Sequence, residues 1–404
     1  MNRISKTFLR GNRFARTATG FLAIQFAILG TLGFATQRFA RLENRRTSAP
    51  ELNDRPWQVA PLYNHDFVIS DDQLSVVLNK LHPKFSGNPT KINFVDHALR
   101  MWDDDATFDD DSFSGKQMLS FLLDNEAFSS VWGSSTPLLQ KTEHGIRVNT
   151  QQGRPSVSHV DHLMGTLAEI GIPLSRTVRT AQGEDQVGSI LNHALENLRI
   201  NQREYEWTAL SAAFYAQNGR PWYSADGQAI DFNVLSKRIM RQTQPQGVCY
   251  GQHRLYTLTM LLRIDDLMKA DGSQRLLSAQ SRQEVMHYLS GMTQRLFHSQ
   301  ASAGYWDGNW PSIDNPIPDP STDPLSRRIL ATGHVLEWWA MAPEELHPPR
   351  RTIINAAQWL VRQIEAMDER KIEKNFTFLS HAGRALALWR GCLPAEFERQ
   401  HQNQ

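Results

Sequence analysis

From residue 71 to residue 390 apolar side chains recur three and four positions apart, segment after segment. No run alternates apolar and polar residues for long enough to read as a strand. About twelve amphipathic helices account for this pattern, over 71–81, 91–102, 115–125, 158–170, 185–199, 206–217, 232–243, 251–269, 280–299, 325–341, 350–366 and 376–390. Ser70, Thr90, Ser114 and Asp231 stand where helix-capping side chains are expected. Asn218-Gly219-Arg220-Pro221 and the stretch from Pro311 to Pro324 punctuate the series. Twelve helices in short-looped succession make six hairpins. Closing six hairpins into a ring is one all-α solution for such a series, with inner helices lining a central cavity and outer helices toward solvent.

The first forty-six residues follow a different rule. Arg3, Lys6, Arg10, Arg13 and Arg16 precede an uncharged stretch from Thr17 to Gln37, and about twenty uncharged residues are enough to cross a bilayer as a helix. The basic residues ahead of it favour a cytoplasmic N-terminus. Gly33-Phe34-Ala35 also suits a signal cleavage site. The expected organisation is a basic N-terminus (1–16), a transmembrane anchor or signal peptide (17–37), a linker (38–70) carrying Pro50, Pro56 and Pro61, a helical domain (71–393) and a polar tail (394–404). The expected location is a cell membrane, single-pass, with the main domain extracytoplasmic, or secretion after cleavage. The chain carries 43 Lys+Arg against 42 Asp+Glu, which argues against nucleic acid as a partner. Two cysteines exclude a disulfide scaffold. Cys249 and Cys392 are available for a single bridge.

A weak repeat runs through the helical region. Leu198-Arg-Ile-Asn-Gln202 leads to Glu206-Trp207, and Leu296-Phe-His-Ser-Gln300 leads to Gly304-Tyr305-Trp306. Trp359-Leu-Val-Arg-Gln363 and Leu122-Leu-Asp-Asn125 with Trp132 are partial copies. A glutamine amide there caps exposed helix-end groups while the indole covers the turn. This pattern resembles the Gln-Trp repeat of terpenoid cyclases and of the prenyltransferase and squalene-cyclase superfamily. The resemblance covers residues 185–390 and implies an all-α fold, an (α/α)6 toroid of about twelve helices, for the domain at 71–393.

Gln246-Gly247-Val248-Cys249-Tyr250-Gly251-Gln252-His253 opens a long apolar helix. A cysteine at a helix N-terminus is expected to have a stabilised thiolate. Cys249 and His253 are four apart and on one helical face, and His334 holds a similar position on a later helix. Together these three are candidate metal ligands, with zinc as the metal and an open fourth position. Val248-Cys249-Tyr250 with His334 resembles the zinc site of protein prenyltransferases, although Gly247 stands where that family has aspartate. Cys249-Tyr250-Gly251 resembles a segment of lanthionine-cyclase-like toroids. Cys249 to Gln252 has the spacing of an internal thioester. The competing structural account is a small buried Cys249 and a hydrogen-bonded core His253.

His159, His162 and Glu337 are the acid/base candidates. Ser158-His159-Val-Asp161-His162 equally suits a helix cap, and Glu337 lies one turn after His334. Arg254, Arg263 and Asp265-Asp266 read as a salt-bridged helix face. The acidic run from Asp103 to Asp111 reads as a solvated loop, and the Asp-x-Asp-Asp acid of squalene-type cyclases is absent. Trp306, Trp310, Trp338 and Trp339 would suit a sugar-binding groove if they faced a cavity. The functional expectation is a membrane-tethered, zinc-dependent enzyme acting on a small-molecule, lipid or glycan ligand in a central cavity. A metal-free glycan hydrolase or lyase, and a non-catalytic toroid for protein or lipid binding, are the alternatives.

Overall fold

A computed structural model describes residues 25–31, 33, 50–85, 90–202, 204–310 and 323–402. The anchor or signal expected at 17–37 falls mostly outside these residues. Among the described residues no helix is long and apolar enough to cross a membrane.

The described chain is mostly helical. Its helices are α1 (Asp71–Lys80), α2 (Ile92–Trp102), α3 (Gly115–Leu123), α4 (Asn125–Trp132), α5 (His162–Glu169), α6 (Val187–Asn197), α7 (Glu206–Tyr215), α8 (Phe232–Arg241), α9 (Gln252–Asp271), α10 (Ala279–Ser299), α11 (Pro324–Met341), α12 (Arg350–Glu365), α13 (Glu369–Lys374), α14 (Phe376–Trp389) and α15 (Pro394–Gln402). Every helix expected from periodicity is present, within four residues at its ends. Three short helices, α4, α13 and α15, were not expected, and α15 takes up most of the expected polar tail. Short antiparallel hairpins interrupt the connections: β1 (Leu139–Thr142) with β2 (Gly145–Val148), β3 (Thr177–Thr180) with β4 (Gly183–Gln186), and β5 (Trp222–Tyr223) with β6 (Ala229–Ile230). Strands this short give alternation too little length to register in the sequence.

Ser70 and Ser114 each form a full capping box, with Gln73 and Gln117 respectively. Asp231 accepts from the Val234 amide. Thr90 does not cap: α2 starts from Lys91 without a side-chain bond, and the buried Thr90 hydroxyl has no partner.

Two kinds of helix emerge. In α7 every residue is buried, and α9, α11 and α14 are buried on nearly every face. By contrast α1, α8 and α12 bury one stripe, as an amphipathic surface helix does. The buried set packs in succession: α2 on α5, α5 on α7, α7 on α9, α9 on α11, α11 on α14, and α14 back on α2. The amphipathic helices α3, α6, α8, α10 and α12 pack against members of that set, and α1 packs on α12 and α14.

Residues 50–70 seal one end of this arrangement. Asn53 and Trp57 donate backbone N–H groups to the Tyr215 and Phe214 carbonyls, and His65 donates to Trp389 O. The Trp57 indole reaches Ala216 O, and Tyr63 Oη donates to Ala342 O at 2.6 Å. The orphan carbonyls at the C-terminal ends of α7, α11 and α14 are therefore satisfied by the linker.

The glutamine–tryptophan logic holds at its best copy. Gln300 Nε2 donates to Gly304 O and Thr352 O, and Trp306 Nε1 donates to Leu296 O. At the other copy Gln202 likewise bonds the local turn. Trp207, however, turns inward and meets a cluster of histidines.

Candidate functional site

Six histidines gather where the buried helices converge. His97 stacks on His162 at 4.3 Å between ring centroids, and His381 lies 3.9 Å from His334. His253 is 4.9 Å from His334 and 5.0 Å from His159, and His97 is 5.3 Å from His381. Small residues permit these approaches. Gly333 lies against the Ala382 backbone, where a Cβ would come to 3.0 Å, and Gly165 lies against the Trp207 ring, where a Cβ would come to 2.4 Å.

Their Nδ1 atoms are fixed by neighbours. His97 Nδ1 donates to Asn93 O (2.8 Å) and His162 Nδ1 to Asp96 (2.6 Å), while Thr166 holds the other Asp96 oxygen. His334 and His381 both direct Nδ1 at Glu337 Oε2, at 3.3 and 3.1 Å. In all four the neutral ring is left with a lone pair on Nε2. His253 differs, because its Nδ1 accepts from Trp207 Nε1 at 3.3 Å. The Nε2 atoms of His97, His162, His253, His334 and His381 are all buried without a partner. Uncapped polar atoms inside a protein are costly, and five in one place point to a ligand.

Below the histidines lies a layer of charge. Arg100 bonds Glu169 through Nε (2.7 Å) and Glu337 through Nη1 (2.7 Å). Arg384 Nη1 donates to the same Glu337 oxygen at 2.7 Å, and Arg384 Nη2 reaches Glu169 at 3.2 Å. Tyr256 Oη donates to Glu169 at 2.6 Å. Two arginines and two glutamates thus neutralise one another, leaving Asp96, and Glu204 beside His159, as the other carboxylates facing the histidine layer.

Burial sets the protonation states. It pushes His97, His253 and His381 well below the ordinary imidazole range, with neighbouring histidines adding to the effect. His159 and His162 are pushed down to about 3, chiefly by burial. Burial also raises Asp96. Burial alone would raise Glu337, but Arg100, His381 and the hydrogen bonds it accepts hold it well below the usual carboxylate range. The histidines are therefore neutral at physiological pH, the state that ligates metals.

Metal-ligand spacing occurs in three groups among the described residues: His253–His334–His381, Asp96–His97–His162 and His159–Cys249–His253, each with candidate atoms within 4.8 Å of one another. In the second group Asp96 already accepts from His162 Nδ1, so it orients that ring. The trio expected from sequence is divided. Cys249 groups with His159 and His253, whereas His334 groups with His253 and His381. Of the acid/base candidates, His162 lies in the centre, Glu337 anchors two rings, and His159 sits at the rim.

Local backbone explains the position of Cys249. Helix α9 begins at Gln252, and Cys249 precedes it in a left-handed turn (φ 47°), followed by Tyr250 (φ 55°) and Gly251 (φ 72°). The expected stabilisation of its thiolate by the helix N-terminus does not arise. Burial, with Glu204 and Glu337, pushes the thiol up instead. Nor can Gly247 be replaced by aspartate: its φ is +113°, and a Cβ would lie 2.2 Å from the Arg254 guanidinium. Both cysteines are free thiols.

A cleft of about 360 Å³ opens on the N-terminal ends of α2 and α14. His159 and Cys249 belong to its lining, with Phe94, Val248, Leu330 and Phe378 among the apolar walls. No tryptophan lines it. Trp306, Trp310, Trp338 and Trp339 are core residues at most 1% exposed, so the groove expected of them is absent from this cleft. Arg254 pairs with Glu206, and Asp265 and Asp266 pair with Arg275 and Arg282, as a structural face does. From the acidic run, Asp105 pairs with Arg399 and Asp110 with Lys84.

Asp96, His97, Arg100, His381 and Arg384 are not among the residues that the sequence motifs single out. A signal does exist: His97-x-x-Arg100, His253-x-x-Tyr256, His334-x-x-Glu337 and His381-x-x-Arg384 repeat one spacing on four otherwise buried helices. No family model, curated protein or solved structure matches the chain.

Proposed function

We propose that the chain is an (α/α)6 toroid with a metal-dependent active site at its centre, acting on a ligand held in the cleft above the inner-helix N-termini. The closed succession of contacts among α2, α5, α7, α9, α11 and α14 supports the toroid reading. The observation that carries the metal is the set of buried, unpartnered Nε2 atoms on His253, His334 and His381. Three histidines with an open position are a catalytic rather than a structural ligand set. Glu337 orients two of the three rings, as outer-shell carboxylates do in metal sites. His253 has to relinquish its long contact with Trp207 to ligate through Nε2. Zinc is the metal proposed, and when bound it would supply a Lewis acid. His162, held by Asp96, and His97 stand beside it as neutral bases. The basic-flanked segment at 17–37 supports tethering to a membrane, or secretion.

The test is metal analysis of the purified full chain beside His334→Ala, His381→Ala and Cys249→Ala variants. About one zinc per chain, lost in both histidine variants and retained in Cys249→Ala, is expected. Absence of metal from the wild type after zinc supplementation, or its loss only in Cys249→Ala, overturns this site.

A further inference from the structure

Cys249 and His159 face each other across the cleft floor, Sγ to Nε2 at 3.9 Å. Neither belongs to the three-histidine set above. The other ring nitrogen, His159 Nδ1, faces Glu204 Oε2 at 3.9 Å, and that carboxylate is itself held by the Val160 amide at 3.4 Å. Thiol, imidazole and carboxylate are therefore neighbours in the order nucleophile, base and carboxylate, with His159 Nδ1 buried and not yet hydrogen-bonded. Contacts of this length in a ligand-free site are within the range that tightens when substrate binds.

The backbone presents Cys249 for this purpose. Two consecutive non-glycine residues in the left-handed region, Cys249 and Tyr250, are unfavourable. The turn persists because Trp310 Nε1 bonds the Tyr250 carbonyl at 3.0 Å and the Tyr250 ring packs on Gly308. An ordinary helical start would carry the thiol elsewhere; the left-handed turn sets it beside His159, at the wall where Phe94 and Phe378 supply an apolar surface.

We infer that Cys249, His159 and Glu204 form a second, thiol-based reactive centre that cleaves or transfers acyl groups from esters with an apolar body. In the first step His159 Nε2 takes the thiol proton as Sγ attacks the carbonyl carbon. The new C–S bond forms, the C–O bond to the leaving group breaks, and the departing oxygen receives the proton from His159. In the second step water attacks the thioester, giving its proton through His159 to the sulfur. Carboxylic acid leaves and the free thiol returns. An acceptor alcohol in place of water makes the same sequence a transfer. Glu204 is a positioning residue, acting through the His159 ring.

The full chain treated with p-nitrophenyl acetate tests this. Expected is release of about one equivalent of p-nitrophenolate in a rapid phase, with one acetyl group located on Cys249 by peptide mass mapping. Cys392→Ala should behave as wild type. Cys249→Ala should lose the rapid phase, and His159→Ala should slow it about 100-fold. Glu204→Ala should slow it as well, with partial recovery in Glu204→Asp. Because the mapping uses the wild-type chain, a variant that fails to fold does not blunt the test. Acetyl on Cys392 or on lysines in preference to Cys249, or an undiminished rate in His159→Ala, overturns the inference. So does acetylation of Cys249 only after a chelator has stripped metal, which would make the thiol a ligand. A rapid phase insensitive to chelator upholds this centre whether or not zinc is found at His253, His334 and His381.

Discussion

Glu337 holds more of the centre together than any other single side chain. One of its oxygens accepts from Arg100 and Arg384, and the other faces His334 and His381. All five groups are buried. Removing the carboxylate leaves two buried guanidinium groups sharing Glu169 alone, so one net charge is uncompensated, and an uncompensated buried charge is far costlier than the pair is stabilising. Glu337→Leu should therefore lower unfolding stability by about 3–5 kcal/mol, read as a shift in urea midpoint, and should weaken metal binding by freeing both rings. A shift under 1 kcal/mol would mean that water reaches the arginines. The importance of Glu337 is only half legible in the sequence. Its spacing from His334 marks it as a candidate, but its arginine partners come from α2 and α14, 237 and 47 positions away.

At the scale of elements, local chemistry and local structure agree where side chains cap helices, and the one disagreement is informative. Ser114 accepts from the Gln117 amide while the Gln117 side chain returns to Ser114. Thr90 has the residue type of a cap but lies one position too early, and its hydroxyl bonds nothing. Ser114→Ala should destabilise the domain by about 1 kcal/mol and Thr90→Ala by much less, with equal losses counting against the assignment. The long helices were readable because their apolar stripes repeat over many turns, whereas α13 is barely two turns long. The site was less readable for a related reason. A histidine inside a continuously apolar helix such as α14 carries no periodic signal, and only the recurrence of His-x-x-polar across α2, α9, α11 and α14 marks it.

On the scale of the whole molecule, the helices enclose neutral imidazoles that an unfolded chain would expose to water. His162 is the clearest case: wholly buried, its folded value is about 3 against an ordinary value of 6.5. The folded chain resists protonation there while the unfolded chain accepts it, so the unfolded state binds more protons between those two values. Stability is thus complete above pH 6.5 and declines as pH falls below it. The slope for one such group is about 1.4 kcal/mol per pH unit. His159 behaves alike, and the two together give about 2.7 kcal/mol per unit. Metal-free protein should accordingly lose urea resistance steeply between pH 6.5 and pH 4.5. His162→Gln should flatten that slope by about one proton, even if it lowers stability at pH 7 by giving up the bond to Asp96. Zinc should raise this profile by a nearly constant amount without changing its slope, since it binds only the folded chain and the rings it ligates are already neutral there. If the metal-free and zinc-loaded curves coincide, the metal does not reside among these histidines.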